Sequence, residues 1–221
     1  MVNDRLLLAV LPIAALACGP VERSTPGELG YGKFVYHCVD GLSDAQCDPG
    51  IDPEAFPIAV VVGSRFELTY RANDMSTALV DTASTKMAVR DGDAFRIVAP
   101  GYAAFLAREV GQVVDLLHLR AVAVSDVRVI GPTGKRLHSL ELRPGESATL
   151  QARAEDAFNH IIGGAVAYGW SPGDPALLSA SKDALAGAAT VVALKAGATT
   201  LSISVGSFKL DLPVTIAGNP L

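Results

Sequence analysis

The sequence predicts an all-β chain: two antiparallel β-sandwiches in tandem, behind an N-terminal targeting segment, a tether and a small disulfide-closed segment. Three observations carry this. The first is period-two alternation: Ala148, Leu150, Ala152 and Ala154 fall on one face of a strand and Thr149, Gln151 and Arg153 on the other, and Leu201-Ser202-Ile203-Ser204-Val205 alternates the same way. The second is punctuation: Pro144-Gly145, Ser171-Pro172-Gly173-Asp174-Pro175 and Ala196-Gly197 divide the last third into short strands, which argues a sandwich over βαβ units. The third is repetition, since 53–127 follows the order and spacing of 140–217.

Residues 1–17 read as a targeting segment. Arg5 is its one basic side chain, and Leu6–Leu16 has the length of a signal h-region and is too short to span a bilayer. The run Ala15-Leu16-Ala17-Cys18 resembles the lipobox of bacterial lipoproteins. That resemblance implies a diacylated Cys18 as the new N-terminus, and Gly19 after it implies sorting to the outer membrane. Two or three acyl chains anchor stably where one is marginal.

Residues 18–33 are rich in Gly, Pro and Ser/Thr with no apolar period, and are expected to be a flexible tether. In 34–52, Phe34-Val35-Tyr36-His37-Cys38 is a short strand-like run. With Cys18 acylated, Cys38 and Cys47 remain and are expected to pair in an oxidising compartment. The Phe-x-Tyr-x-Cys run with its Asp-rich loop is similar to segments of Gram-negative surface lipoproteins. Asp40, Asp44, Asp48 and Asp52 are evenly spaced and raise calcium, a ligand of carboxylate oxygens. They lack the Asp-x-Asp-x-Asp-Gly order, so turn capping is preferred. Zinc on His37, Cys38 and Cys47 lacks paired Cys-x-x-Cys spacing. No cofactor or metal is assigned.

The first sandwich is placed at 53–127. Phe66, Leu68 and Tyr70 point inward after Gly63, as the 147–154 strand does after Gly145. Phe95 and Ile97, then Ala99-Pro100-Gly101, match the run through Lys195–Ala198; Gly111 matches Gly206. Residues 128–139, with Gly131-Pro132-Thr133-Gly134 inside, are read as the junction.

The second sandwich spans 140–217. The run Leu142-x-Pro144-Gly145-Glu146-Ser147-x-x-Leu150, then Trp170-Ser171-x-x-Asp174-Pro175-Ala176, then Val191-x-Ala193-Leu194-x-Ala196-Gly197-Ala198-Thr199-x-Leu201-x-Ile203, resembles the group 2 bacterial immunoglobulin-like domains of invasin- and intimin-like surface proteins. The resemblance implies an extended surface module and no activity. Trp170, alternating with Tyr168 and Val166, is read as core by analogy with immunoglobulin-like sandwiches.

Composition excludes some functions. The chain has 221 residues and a net charge of −5 with no basic cluster, against a nucleic-acid footprint. Fragments of catalytic motifs occur singly. Ser179-Ala180-Ser181-Lys182 satisfies Ser-x-x-Lys without companion elements. Asp81 in Val80-Asp81-Thr82-Ala83 resembles one half of an aspartic-protease pair. His118, His138 and His160 lie in different elements, and Ser64 after Gly63 opens a strand. The reading is therefore a non-catalytic, lipid-anchored envelope protein, periplasmic or surface-exposed, with spacer or adhesive modules. Its membrane partner is reached through the lipid; any protein or glycan ligand docks on end loops such as Ser171, Pro172, Gly173 and Asp174. The alternatives are an accessory subunit of an envelope or secretion assembly and, third, a secreted hydrolase.

Overall fold

The computed structural model describes residues 22–39, 44–48, 51, 52, 54–74, 76–182 and 187–218. The targeting segment, Cys18 and Asp40 lie outside the described residues. Seventeen strands are present in these residues: β1 Ser24–Pro26, β2 Gly32–His37, β3 Ala59–Val61, β4 Arg65–Ala72, β5 Thr77–Thr82, β6 Ala88–Asp91, β7 Ala94–Ile97, β8 Gly101–Glu109, β9 Gln112–Val122, β10 Asp126–Ile130, β11 Leu140–Leu142, β12 Ser147–Glu155, β13 Tyr168–Pro172, β14 Leu178–Lys182, β15 Ala188–Ala193, β16 Gly197–Val205 and β17 Phe208–Ile216.

In the second module β10-β12-β15-β14 form one sheet and β11-β17-β16-β13 the other. The first module repeats this pairing strand for strand. β2 lies beside β4, β4 beside β7 and β7 beside β6; β5-β8-β9-β3 form the opposing layer. In both, the short strand after the first connection runs parallel to the last strand, β3 on β9 and β11 on β17. β4 also touches β5 at Tyr70–Ala78 and Arg71–Thr77, which joins the two layers of the first module. The glycines matched in sequence occupy matched positions. Gly63 and Gly145 have φ of 89° and 84°, a left-handed conformation that side chains resist.

Alternation sets the cores. Phe66, Leu68 and Tyr70 on β4 join Phe34, Tyr36, Phe95, Ile97 and Phe105 in the first. Rings of Phe66, Phe95 and Phe105 meet edge-on or tilted at 5.0–6.4 Å, the arrangement aromatic quadrupoles favour. Ala148, Leu150, Ala152 and Ala154 on β12 face Leu201, Ile203, Leu212 and Val214 in the second. Trp170 is half-buried against that core from the edge strand β13, and Tyr168 is buried within it.

Three boundaries differ from those expected. Residues 34–52 are no separate segment: Phe34 and Tyr36 are 0% and 2% exposed, because β2 pairs with β4 and turns both rings inward. The tether expected at 18–33 contains β1, paired with β2, and a turn held by the buried carboxylate of Asp115, which accepts from the amides of Leu29 (2.9 Å) and Tyr31 (3.1 Å). The junction expected at 128–139 contains most of β10, whose Val127 and Val129 are in the second core; the link proper is 123–125. The repeating unit is thus β2–β9 followed by β10–β17, and β1 has no counterpart. Pro172, read as loop, is the last residue of β13, tolerated because β13 is an edge.

Candidate functional site

The modules meet head to tail through two loops, each of which is short in the other module. In the first, the connection from β2 to β3 occupies 38–58, against 131–139 in the second. The disulfide Cys38–Cys47 closes its first part, with Cα atoms 6.3 Å apart, and a single 3₁₀ turn, Ala45–Cys47, follows Asp44. In the second, the connection from β12 to β13 occupies 156–167.

Asp44 is fully buried where these loops touch. Its carboxylate accepts from the Tyr36 hydroxyl at 2.6 Å, the Gln46 amide at 2.9 Å and, across the junction, the Gly164 amide at 3.1 Å. Burial holds its pKa above the ordinary carboxylate value, although these donors pull the other way. Burial, with the Asp44 charge beside it, pushes the Tyr36 hydroxyl well above its usual value. Asp48 accepts from Arg153 at 2.6 Å and from Gln151. Arg120 of β9 pairs with Asp156, whose carboxylate also takes the amides of Phe158 (2.9 Å) and His160 (3.0 Å).

Backbone pairing runs across the same junction. Gly163 exchanges hydrogen bonds with Val61 and Ala59, and Ala165 with Arg65, all at 2.7–3.1 Å. Ala59 and Val61 of β3 consequently pack into the second core beside Ile162. Gly164, at φ 98°, lies so close to Ser64 that an added Cβ would sit 2.1 Å from the Ser64 Oγ.

This arrangement ties the two modules to each other. Both carboxylate oxygens of Asp44 accept from fixed donors. The even Asp spacing dissolves: Asp44 serves Tyr36 and the junction, Asp48 serves Arg153, and Asp52 accepts the Glu54 amide at 2.9 Å. Cys38, Asp44 and Cys47 bring metal-type atoms within 4.8 Å of one another, but the two sulfurs are bonded to each other and are not thiolates.

The motif fragments are not brought together. Asp81 is exposed and takes the Thr82 amide at 2.8 Å; Ser179 lies on β14 of the other module. His118 pairs with Glu28 and His160 with Asp156. Ser64 is buried against Gly164. Ser171–Asp174 sits at the far pole of the second module, where Ser171 and Pro172 end β13 and Gly173 and Asp174 lead into the turn at 175–177. The Gly173 amide donates to Thr200 O at 2.8 Å, Asp174 N to Thr199 Oγ1 at 3.0 Å, and Asp174 Oδ1 accepts from Ala176 N at 2.8 Å. The first module makes the matching turn at Ala83–Met87, where Ala83 N donates to Ala104 O at 2.9 Å. Sequence reasoning missed the junction. Its one signal in the sequence is Asp156–His160, which interrupts the alternation that ends at Ala154, and Asn159 there has a left-handed φ of 62°.

No family model matches the chain, and no curated protein sequence does. Among solved structures it is similar to domains 4 and 5 of the S-layer protein SbsC, at 12% identity over 74% of this chain and 96% of that one, with a TM-score of 0.37. It is similar also to FdeC, an Escherichia coli adhesin, at 17% identity over 74% of this chain and 62% of that one, TM-score 0.37. A third is the Yersinia pseudotuberculosis adhesin InvE, at 14% identity over 72% of this chain and 56% of that one, TM-score 0.35. The chain spans less than two thirds of the length of these two adhesin structures and about 29% of a longer SbsC structure. None is close enough in sequence or superposition to assign a ligand.

Proposed function

We propose that this chain is a non-catalytic protein of the bacterial cell envelope, anchored in the outer membrane by lipid on Cys18, whose two immunoglobulin-like modules of the group 2 kind form a stiff spacer and adhesive unit. The observation that carries the reading is the junction. Modules that need only a flexible link do not bury a carboxylate between them, and here Asp44 accepts a hydrogen bond from Gly164 while β3 packs into the neighbouring core. A stiff pair sets distance and direction from an anchor, which is what a spacer does. The anchor is supported by Ala15-Leu16-Ala17-Cys18-Gly19.

The test is intact mass and membrane fractionation of the protein exported by a Gram-negative host, beside a Cys18→Ala variant. The expected result is an acyl mass on the wild type, lost in the variant. A wild type recovered unacylated and free of membranes overturns the anchor. Small-angle scattering tests the spacer: one end-to-end arrangement is expected, and a broad range of inter-module angles overturns it.

A further inference from the structure

The free pole of the first module carries a cleft of about 410 Å³, within the range of small-molecule sites. Tyr70, Ala72, Ala78 and Val114, at the end of the first core, line it. The second module fills the matching space itself. Thr82 pairs with Phe105 and Pro172 with Leu201, so Ala78 stands where the second module has Tyr168. Tyr168 is buried, its hydroxyl accepting from the Ala154 amide at 3.0 Å, and Ile162 of the long connection packs in the same core. The first module has alanine at 78 and only the short connection 73–76 after β4. Counted from the matched Gly63 and Gly145, its Tyr70 stands where the second module has Ala152. The Tyr70 hydroxyl is drawn to Asp115 at 3.0 Å, and the cleft stays open beside the ring.

We propose that this cleft binds a small organic cation, in which an apolar body the size of a ring on a short aliphatic stem carries a protonated amine. The body follows from the plug. A phenol ring and a branched aliphatic chain fill the second module's copy of the space, and the first module offers Ala72, Ala78 and Val114 to a body of that kind. The charge follows from the rim. The charged residues lining the cleft are Asp74 and Glu109, with no cation among them. Asp74 accepts from the Ser76 amide at 3.0 Å, and neither carboxylate makes an ion pair among the described residues. Burial, then Asp115, then the Asp74 charge push the Tyr70 hydroxyl above its usual value, so the field of Asp74 reaches the floor of the cleft. Tyr31, 64% exposed at the mouth, adds an aromatic ring of the kind that attracts a cation over its face. This rim repels a carboxylate, and a neutral alcohol leaves both charges unanswered. An ammonium answers them with charge-assisted N–H donors. The site does not depend on lipid at Cys18.

The test titrates the unacylated Cys18→Ala chain with phenylbutylammonium while the methyl resonances of Ala72 and Ala78 are followed. Saturable shifts confined to the first module are expected. At neutral pH phenylbutanol should bind more weakly by about tenfold or more, and phenylbutyrate should not saturate. Asp74→Asn together with Glu109→Gln should bring the amine down to the affinity of the alcohol, with the binding of the alcohol itself unchanged; asparagine keeps an oxygen for the Ser76 amide. Ala78→Trp, which supplies the missing ring, should weaken the amine and the alcohol alike by about tenfold or more, with the second module's spectrum unchanged. No saturation by the amine, equal affinities for amine and alcohol, or an amine affinity that the double carboxylate variant leaves unchanged overturns the cation site. Binding indifferent to Ala78→Trp overturns the cleft as its place. The carboxylate variants decide the matter alone if the tryptophan variant does not fold.

Discussion

The Asp44 carboxylate of the first module accepts the amide of Gly164 from the second, 3.1 Å away and 120 residues along the chain. Two excursions from one repeated scaffold meet at that bond, each present in one copy and short in the other. The junction is therefore built by what distinguishes the modules.

Asp44 makes stability at this junction pH-dependent in an unusual direction. Its folded pKa is raised by burial, so the folded state binds the proton more tightly than the unfolded chain. Its contribution is full below the unfolded carboxylate value and is lost as pH rises through the folded one. Asp44→Asn removes this, so wild type should gain stability relative to the variant as pH falls from 6 towards 4. Asp115 and Asp156 act oppositely. Burial raises each, but backbone donors, with the Tyr70 hydroxyl on Asp115 and Arg120 on Asp156, bring both below the ordinary value. Their contribution is present above that value and lost on acidification through the lower folded one. Denaturant unfolding of Asp44→Asn against wild type across this range is the check; a constant difference would contradict it.

Gly164→Ala should open the junction. The new methyl meets Ser64 in a backbone conformation that favours glycine, and overpacking of this kind costs about 1–3 kcal/mol. Ser64→Gly in the same chain should recover part of the loss, because the Oγ is removed while the φ penalty remains. Thermal unfolding of the single and double variants decides it.

Replacing Cys38 and Cys47 together by serine should cost about 2–3 kcal/mol for a loop of this size. The loss should be local as well as global. Amide exchange at Gly164 should accelerate, because the loop that presents Asp44 is no longer closed.

Arg153→Ala should cost less than the about 3–5 kcal/mol of a wholly uncompensated buried charge, because Gln151 still donates to the Asp48 carboxylate. Asp48 is 8% exposed and receives Arg153 from β12. Asp48→Asn together with Arg153→Met should restore much of it, measured by urea unfolding.

The strands were legible because their signal is local. Phe66-Leu68-Tyr70 and Leu201-Ile203-Val205 alternate against polar neighbours, and Gly63 and Gly145 mark the same left-handed turn. What was not legible is carried by partners distant in sequence. Phe34 and Tyr36 read as an isolated run because β4, which turns them inward, lies some thirty residues away. Val129 falls in the expected junction because Pro132 and Gly134 follow it, and Val127 at the end of the expected first module, although both pair with β12. Asp44 and Asp48 looked like a spaced set of carboxylates, yet each answers a residue of the other module.

The parallel pairing of the last strand in each module has a mechanical consequence. Tension between the two ends of the chain enters the second module at β10 and leaves it at Ile216; once β10 is drawn off β12, it pulls β11 at its start, Leu140, against β17 at its end. Because the two run the same way, the load falls on Leu140–Val214, Glu141–Thr215 and Leu142–Ile216 together, as shear, and the bonds cannot peel one at a time. β3 and β9 place the first module under the same geometry. Single-molecule pulling should accordingly show abrupt, high-force rupture of each module rather than gradual yielding.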